Sequence, residues 1–310
     1  MSSDHKKEFV VWWFQDGKPG HENQVQGLLS AIAKQRILKI IPLKINTSFK
    51  LYLQWFLRRL DFATTLPRPD LIIGAGHATH IPMLLSHNLY GGKIVVLMKP
   101  SLPLSWFDLC FIPEHDRPDN RQNVIKTRGV LNKIQQQDRQ SDRCGLILVG
   151  GTSVHYQWSD EVIIEQIKAL VNGFSSVNWV LATSRRTPSD FLHKLGEAVS
   201  SNTLKLCPVE DTDTNWLPEQ MATAGNIWVT EDSVSMVYEA LSSGARVGLL
   251  ELENNKFDRI SRSMQGLVEN GCLTRFSQWR NTGDMVASVA AFNEAERCAT
   301  EVINRCLKQD

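Results

Sequence analysis

The feature that most constrains the fold of this chain is a regular alternation of short apolar runs with longer helical patterns. The apolar runs lie at 9–14, 37–43, 70–76, 93–98, 109–113, 145–151, 179–184, 227–230 and 246–252. Continuous runs rich in β-branched residues are typical of strands buried on both faces, as in parallel sheets covered by helices. The intervening segments, such as Gln24–Lys34 and Asp160–Val171, are long enough for crossover helices. The alternation therefore predicts a doubly wound α/β fold.

The length of the chain predicts more than one domain. At roughly 150 residues per domain, 310 residues correspond to about two. Residues 132–143 are polar and lack periodicity, so we predict a linker there. This gives an N-terminal Rossmann-like domain at 1–139 and a C-terminal one at 140–310, facing each other across a cleft. Ligands of such sheets bind beyond the carboxyl ends of the strands, so the segments that follow the strands are the candidates for function.

The composition excludes several classes of protein. Lys and Arg number 34 against 33 Asp and Glu, and the resulting net charge of +1 provides no general attraction for nucleic acid. The 6 cysteines form no C-x-x-C pair, which favours free thiols over a disulfide framework or a zinc site. The polar start and the short first apolar run are not typical of a signal peptide or a membrane span. We expect a cytoplasmic protein, and a peripheral position at the inner face of a membrane stays open.

The first polar segment, QDGKPGHEN at 15–23, directly follows the first predicted strand. Its glycines and proline predict a turn whose amides point at a ligand, and Lys18 adds a positive charge. Asp16 and His21 are both suited to act as a general base, because an imidazole titrates near neutral pH and a carboxylate is ionised there. The alternative is a turn of solvated polar residues, but the density of polar groups favours function.

Two further segments follow strands in the first half. GAGHATH at 74–80 has glycines that permit a close approach of the backbone, and His77 lies where a cleft would be. The alternative is a tight connection between strand and helix, with His80 on the helix surface. PEHD at 113–116 places His115 and Asp116 in one loop, but a metal site needs more ligands at matched spacing. We therefore predict a hydrogen-bonding loop facing the cleft, and no metal.

The second half opens with residues that could form a small nest of backbone amides for an anionic oxygen. They are Gly150, Gly151, Thr152 and Ser153. Arg185 and Arg186 follow the predicted strand at 179–184, and a guanidinium can bind two oxygens of a diphosphate or carboxylate at once. A solvated pair of arginines is an equally open interpretation of these two residues.

The most specific segment is VTEDSVSMVYEA at 229–240. It predicts a helix capped by Ser233, on which Asp232, Ser235 and Glu239 share one face. A helix N-terminus with serine hydroxyls is a good phosphate site, and Glu239 could accept hydrogen bonds from two vicinal ribose hydroxyls. An ordinary amphipathic helix is the alternative, but it leaves the polar face without a purpose.

Two segments carry weaker signals. Asp211-Thr212-Asp213 matches a D-x-D pattern for a metal bound to a diphosphate, but such triplets are common by chance in polar loops. Residues 49–62 combine aromatic side chains with two arginines, a pattern suited to a helix that rests on a membrane surface or contacts a lipid-linked acceptor. A helix packed on the sheet is the more usual explanation for that segment.

Five motifs in this order resemble the elongated-mitochondria (mitochondrial fission) family. They are DGKPGHENQ, PEHD, GGTS, TSRRTP and VTEDSVSMVYEA, and the resemblance extends over residues 10–255. The bacterial members of this family are classed with the glycosyltransferases of the GT-B type, which have two Rossmann-like domains. The resemblance implies that the amino-terminal domain faces an acceptor and that the carboxyl-terminal domain holds a nucleotide sugar.

The resemblance also implies roles for individual residues. Glu239 would bind the ribose, Ser233 and Ser235 would contact the phosphates, and Gly151 and Thr152 would line the phosphate loop. His21 or Asp16 would lie near the acceptor hydroxyl. The residues expected on the acceptor side are Lys18, His77, His115 and Asp116.

These observations predict a glycosyltransferase that needs neither a metal nor another cofactor. Its partners would be a nucleotide-sugar donor and a glycan or glycolipid acceptor, possible membrane contact being confined to residues 49–62. Two alternatives stay open: a catalytically inactive GT-B scaffold that acts as a membrane-associated adaptor, and a nucleotide-sugar epimerase on the same scaffold.

Overall fold

The computed structural model describes residues 7–45, 65–199, 201–255, 259–287 and 292–308. Their contacts divide the chain into unit 1, which comprises residues 1–133 and 294–310, and unit 2, which comprises residues 134–293. The segment 49–62, for which the sequence predicts a basic aromatic helix, lies outside the described residues.

Unit 1 is built on a six-stranded parallel sheet. Its strands are β1 (Glu8–Gln15), β2 (Ile37–Lys44), β3 (Leu71–Ala75), β4 (Lys93–Leu97), β5 (Leu109–Pro113) and β6 (Val124–Thr127). Their order across the sheet is β2-β1-β3-β4-β5-β6, and every neighbouring pair is parallel. β3 and β5 are buried along their whole length, as the continuous apolar runs predict.

Helices cover both faces of this sheet. Helix α1 (Pro19–Ala33) packs on one face, where Leu28 meets the inward side chains of β1 and β3. Helix α2 (His80–Tyr90) packs on the other, where Met83 joins Trp12 and Ile72. Successive residues of a strand point to opposite faces, so each strand supplies both cores.

Unit 2 repeats this architecture with its own sheet. Its strands are β7 (Ser141–Leu148), β8 (Tyr156–Gln157), β9 (Asn178–Ala182), β10 (Leu204–Cys207), β11 (Ala224–Thr230), β12 (Arg246–Leu250), β13 (Glu253–Asn254) and β14 (Thr274–Arg275). Six of them form a parallel sheet in the order β10-β9-β7-β11-β12-β14. β8 and β13 form a separate antiparallel pair.

The helices of unit 2 alternate with these strands. They are α3 (Asp160–Gly173), α4 (Phe191–Ala198), α5 (Trp216–Thr223), α6 (Val234–Ser243), α7 (Arg259–Glu269) and α8 (Phe276–Thr282). Aromatic rings fill much of the core: Trp279 stacks on Phe174 with ring centroids 5.2 Å apart and meets Trp228 at 5.7 Å. Both units are therefore doubly wound α/β folds, which confirms the predicted fold class.

The predicted linker at 132–143 is shorter in the structure. β7 begins at Ser141, so residues 141–143 of the predicted linker belong to the first strand of the second sheet. Residues 141–143 are polar because the amino end of β7 is only partly covered. A prediction from polarity alone therefore extends the linker into a strand. By its residue contacts, unit 2 begins at Ile134.

The last helix of the chain, α9 (Glu294–Cys306), belongs to unit 1, whereas the sequence prediction assigned 140–310 to the second domain. Its apolar face, which includes Cys298 and Val302, is buried in the same core as α1. Its carboxylate Glu294 accepts a hydrogen bond from the backbone N–H of Arg128 at 3.1 Å. An amphipathic pattern shows that a helix has a buried face, but not which sheet it covers.

Among the described helices, none is both long enough and apolar enough to cross a membrane. All six cysteines are free thiols, and Cys110, Cys207 and Cys298 are buried.

The position of α9 predicts a local effect of Val302→Ala. Removing this buried side chain should destabilise unit 1 by about 1–3 kcal/mol, because part of the cavity it leaves stays unfilled. Hydrogen exchange read by mass spectrometry should then be faster in β1 and β3 and unchanged in β7 and β11. The matched control is Thr300→Ala on the exposed face of the same helix. Faster exchange confined to β7 and β11 would show that α9 stabilises the other sheet.

Candidate functional site

Each sheet has one position at which the chain reverses its direction across the sheet. In unit 1, β1 is followed by β2 on one side and β3 on the other, so the connections after β1 and β3 diverge. In unit 2, β7 is followed by β9 and β10 on one side and by β11 on the other. Ligands of doubly wound sheets bind at such switch points, beyond the carboxyl ends of the strands. The predicted segments 15–23 and 74–80, and likewise 150–153 and 229–240, flank these two positions.

Asp16 and His21 form a pair at the switch point of unit 1. Asp16 directly follows β1 and His21 lies in the first turn of α1, with 2.8 Å between Asp16 Oδ2 and His21 Nδ1. The carboxylate is almost fully buried, whereas the imidazole keeps 18% of its side chain exposed. Because an ionised carboxylate only accepts, the proton of a neutral imidazole is held on Nδ1 and its lone pair on Nε2. This is the geometry of an oriented general base.

The connection after β3 contains Gly76, a position at which the structure has no room for a side chain. Its φ is +85°, and a Cβ there would lie 2.6 Å from His21 Cε1 and 2.7 Å from Asp16 Oδ2. No L side chain fits at those distances, and the left-handed φ also favours glycine. The close backbone approach predicted for segment 74–80 is thus made to the Asp16–His21 pair itself.

The other predicted residues of unit 1 lie at the same edge of the sheet. Lys18 and His77 are exposed. His80, expected on the helix surface, is instead buried, and burial, with a smaller effect of His77, lowers the pKa of its imidazole to about 4. His115 and Asp116 lie in a short helix after β5, with His115 Nε2 4.0 Å from Asp116 Oδ1.

The centre of the corresponding region in unit 2 is the carboxylate of Asp232, whose side chain is fully buried. Its Oδ2 accepts a hydrogen bond from the Gly151 N–H at 3.0 Å and lies 2.8 Å from Nη2 of Arg186. A Cβ on Gly150 would lie 2.7 Å from the carboxylate carbon, so only glycine fits there. Asp232 thus joins three loops, at 150–153, 184–187 and 230–233, which we call the three-loop cluster.

The structure separates the two predicted arginines. Arg186 contacts Asp232 and also donates from Nη1 to the carbonyls of Gly151 at 3.3 Å and Thr152 at 3.1 Å. Arg185 is exposed and has no hydrogen bond or ion pair to any residue that the structure describes. Arg186 therefore holds the loops together, and Arg185 is available to a ligand.

The backbone amides of the GGTS segment are not an open nest, which corrects the prediction. The N–H of Gly150 donates to Thr230 Oγ1 at 2.8 Å, that of Gly151 to Asp232, and that of Thr152 to the carbonyl of Arg186 at 3.2 Å. The hydroxyl of Ser153 accepts from the backbone N–H of Tyr156 at 3.2 Å. The segment packs against its neighbours because buried amides need acceptors.

Helix α6 begins at Val234, whereas the predicted polar face requires the helix to include Asp232. Asp232 precedes the helix and points into the three-loop cluster, so it does not share a helix face with Ser235 and Glu239. Ser233 occupies the N-cap position, but its hydroxyl makes no capping hydrogen bond. Ser235 is exposed in the first turn and Glu239 is half-buried further along. The N-terminus of α6 therefore has amides without intrahelical acceptors, the exposed Ser235 and the buried Ser233.

A buried charge cluster that the sequence analysis missed lies beside this region. Glu231 Oε1 is 2.7 Å from Arg275 Nη1, which is also 3.4 Å from Glu251 Oε1. These residues follow or end the neighbouring strands β11, β12 and β14. Burial raises the pKa of the Glu231 carboxyl to about 7 even though Arg275 opposes the shift. The consecutive acids after β11 are the only sequence signal, because Arg275 is distant along the chain.

The D-x-D triplet has a structural role. Asp213 Oδ1 accepts hydrogen bonds from the backbone N–H groups of Asn215 and Trp216, each at 2.8 Å, at the start of α5. Within the described part of the chain, no group of three or more His, Cys, Asp or Glu residues is arranged to hold a metal ion.

Comparison with known sequences gives two matches over most of the chain. The profile of a family described as Mitochondrial fission ELM1 matches residues 19–306. An uncharacterized protein of Rickettsia prowazekii, RP120, is 25% identical, and the alignment covers 96% of this chain and 98% of that protein.

Solved structures that share the fold of this chain include a nucleotide-sugar epimerase and a protein determined with UDP. The UDP-GlcNAc 2-epimerase of Methanocaldococcus jannaschii superposes with a TM-score of 0.56 at 11% identity, covering 96% of this chain and all of that one. The S. aureus MnaA structure determined with UDP gives a TM-score of 0.51 at 14% identity, with coverages of 96% and 88%. At this level of identity the likeness shows the fold alone, which consists of two Rossmann-like units as in the GT-B type.

The buried Glu231 predicts a pH-dependent stability. The pKa of this carboxyl is about 7 in the folded protein against 4.5 ordinarily, so folding takes up a proton between these values. This contribution to stability is fully present below pH 4.5 and is lost as the pH rises through 7. Its size is about 1–3 kcal/mol.

Urea unfolding between pH 5 and pH 8 measures this effect. The free energy of unfolding should fall between pH 5 and pH 8 in the native protein. In Glu231→Gln that fall should be smaller by about 1–3 kcal/mol. Glu165→Gln, on an exposed glutamate of α3, should keep the native slope. Equal slopes for the native protein and Glu231→Gln would contradict the assignment.

Proposed function

The chain belongs to the mitochondrial fission ELM1 family, and from this premise we propose that it is a glycosyltransferase that moves a sugar from a nucleotide-sugar donor to an acceptor hydroxyl. The fold supports this class of function because GT-B units bind nucleotide sugars at the carboxyl ends of their strands. The proposal assigns the acceptor chemistry to unit 1 and the donor to unit 2.

The observation that carries the proposal is the Asp16–His21 pair, held at 2.8 Å at the switch point of unit 1. In the proposed step, His21 Nε2 takes the proton of the acceptor hydroxyl, and the hydroxyl oxygen forms a bond to the anomeric carbon of the donor. The bond from that carbon to the phosphate oxygen breaks, and the nucleoside diphosphate leaves with the bonding electrons. Asp16 keeps the imidazole oriented and stabilises its protonated form.

Unit 2 supplies groups suited to a diphosphate. We propose that Arg185, the first turn of α6 and the hydroxyls of Ser233 and Ser235 bind the phosphates. Fixed donors of this kind stabilise the negative charge that develops on a leaving diphosphate and can do so without a divalent cation. Glu239, on the same helix, is proposed to bind the ribose, as the resemblance to the family implies.

The acceptor is proposed to be a glycan or glycolipid. Contact with the inner face of a membrane is proposed for residues 49–62. That segment combines Arg58 and Arg59 with aromatic residues, the composition of a helix that lies on anionic lipid. Lys18, His77, His115 and Asp116 follow strands of unit 1 and are proposed to bind the acceptor.

An epimerase is the second candidate, because the UDP-GlcNAc 2-epimerase of Methanocaldococcus jannaschii shares this fold. An inactive adaptor on the same scaffold is the third. Incubation with UDP-, GDP-, ADP- and CMP-sugars separates the three: a transferase releases nucleotide only with an acceptor, an epimerase interconverts the sugar without one, and an adaptor does neither. Interconversion without an acceptor would exclude transfer as the primary activity.

His21→Gln should lower kcat by about 100- to 10,000-fold, the range for removal of a general base. The dissociation constant of the donor should change by less than about threefold, because His21 is assigned to the acceptor. Steady-state kinetics and calorimetry measure the two effects. His193→Gln, at an exposed histidine of α4, is the control. Equal losses of turnover and donor affinity would count against the base.

Arg185→Met should weaken binding of the donor nucleotide by about 10- to 100-fold through the loss of charge-assisted hydrogen bonds, and Glu239→Ala should also weaken it. Calorimetric titration with UDP measures both. Arg143→Met, at an exposed arginine near the amino end of β7, should bind like the native protein. Unchanged affinity in Arg185→Met would remove Arg185 from the donor site.

A further inference from the structure

Asp232 places a negative charge where the proposed function requires an anionic ligand. Its carboxylate lies one residue before the N-cap of α6 and contacts both a glycine-loop N–H and a guanidinium. A backbone amide, an arginine and a helix N-terminus are the three kinds of donor that proteins use to bind phosphate. The carboxylate of Asp232 therefore occupies donors of the kinds that bind phosphate, namely the Gly151 N–H and the Arg186 guanidinium.

The second carboxylate oxygen is unusual. Asp232 Oδ1 is buried and has no hydrogen-bond partner among the described residues, although Oδ2 has two. A residue kept only to tie loops together would be expected to satisfy both oxygens, because a buried acceptor without a partner is unfavourable. The negative charge at this position therefore calls for an explanation beyond loop anchoring.

The local charge balance gives one. Arg186 and Asp232 cancel each other, and Arg185 is exposed without a partner among the described residues. Of the two arginines in the cluster, Arg185 is thus the one whose charge is not offset by a carboxylate among the described residues. Asp232 thereby offsets the attraction that Arg186 would otherwise exert on each additional negative charge of a phosphate.

We propose that the fixed negative charge of Asp232 makes the site selective for ligands whose phosphates carry fewer negative charges. The inference rests on the proposed nucleotide-sugar site. A nucleoside diphosphate sugar carries two negative charges on its diphosphate, whereas a free nucleoside diphosphate carries nearly three at neutral pH, because its terminal phosphate has a pKa near 6. Asp232 favours the donor over the nucleotide product, and so promotes release of the product.

The test compares the affinities of two probes, UDP and UDP-N-acetylglucosamine, by calorimetry at pH 7.5 and constant ionic strength. Asp232→Asn keeps the size of the side chain and removes its charge. It should tighten UDP by about 10-fold and UDP-N-acetylglucosamine by only about threefold, because the uncompensated charge of Arg186 then attracts the extra negative charge of UDP. Asp142→Asn removes an exposed carboxylate at the amino end of β7 and should leave both affinities unchanged.

A second variant serves if Asp232→Asn does not fold. The double variant Arg186→Gln with Asp232→Asn removes both charges of the pair, so that neither is left without its partner. Since one cation and one anion disappear together, the affinities for both probes should stay within about threefold of the native values. A loss of 10-fold or more would mean that Arg186 itself binds the phosphate, and would overturn the proposal.

The remaining outcomes are also decisive. If the native protein binds UDP and Asp232→Asn binds it no more tightly, the selective role of Asp232 is wrong and the nucleotide site stands. If both probes are tightened equally, the effect is general attraction and selection by charge is wrong. If neither probe binds to the native protein or to any variant, the proposed nucleotide site fails and this inference fails with it.

Discussion

The ion pair between Asp232 and Arg186 is the interaction on which the described part of unit 2 depends for the shape of its switch point. Without Arg186 and the Gly151 N–H, a fully buried carboxylate would lose its partners, and an unpaired buried charge is strongly unfavourable. The pair fixes the loops after β7 and β9 to the start of α6. It also explains Gly150, because the carboxylate occupies the space that a Cβ would need.

The switch point of unit 1 uses a carboxylate in a related way but with a different partner. Asp16, like Asp232, lies within two residues of a strand end, is buried, and lies against a glycine from a neighbouring connection. Its partner is an imidazole, which has two ring nitrogens that can donate or accept, whereas the partner of Asp232 is a guanidinium, which only donates. The first arrangement is suited to moving a proton and the second to holding a fixed charge, in line with the roles proposed for the two units.

The sequence predicts the fold well because the signals for it are local. Strands such as β3 and β5 are buried on both faces, so each reads as an unbroken apolar run. The close approach of Gly76 was also predictable, since glycine after a strand indicates tight packing of the backbone. The partner of α9 was not, because an amphipathic helix carries no information about which sheet it covers.

The candidate site was predicted less completely, and for a related reason. The strand ends identified the correct segments, but they could not show whether an amide faces a ligand or another loop. The GGTS amides donate to Thr230, Asp232 and Arg186, which are all distant in sequence. The partner of Glu231 is likewise an arginine from β14. Such pairings depend on how loops from several strands meet, and no periodicity in one segment encodes that.

Charge pairing at the two switch points gives physical content to the net charge of +1. A chain with almost no net charge does not attract anions over long distances, because screening limits interactions between exposed charges to about 8–10 Å at physiological salt. Selection among anionic ligands must then arise from charges in direct contact with them. In unit 2 the buried Asp232 cancels Arg186 and leaves Arg185 exposed, so this selection depends on the position of very few side chains. The proposed selection between ligands that differ by one charge rests on this local balance and not on the charge of the protein as a whole.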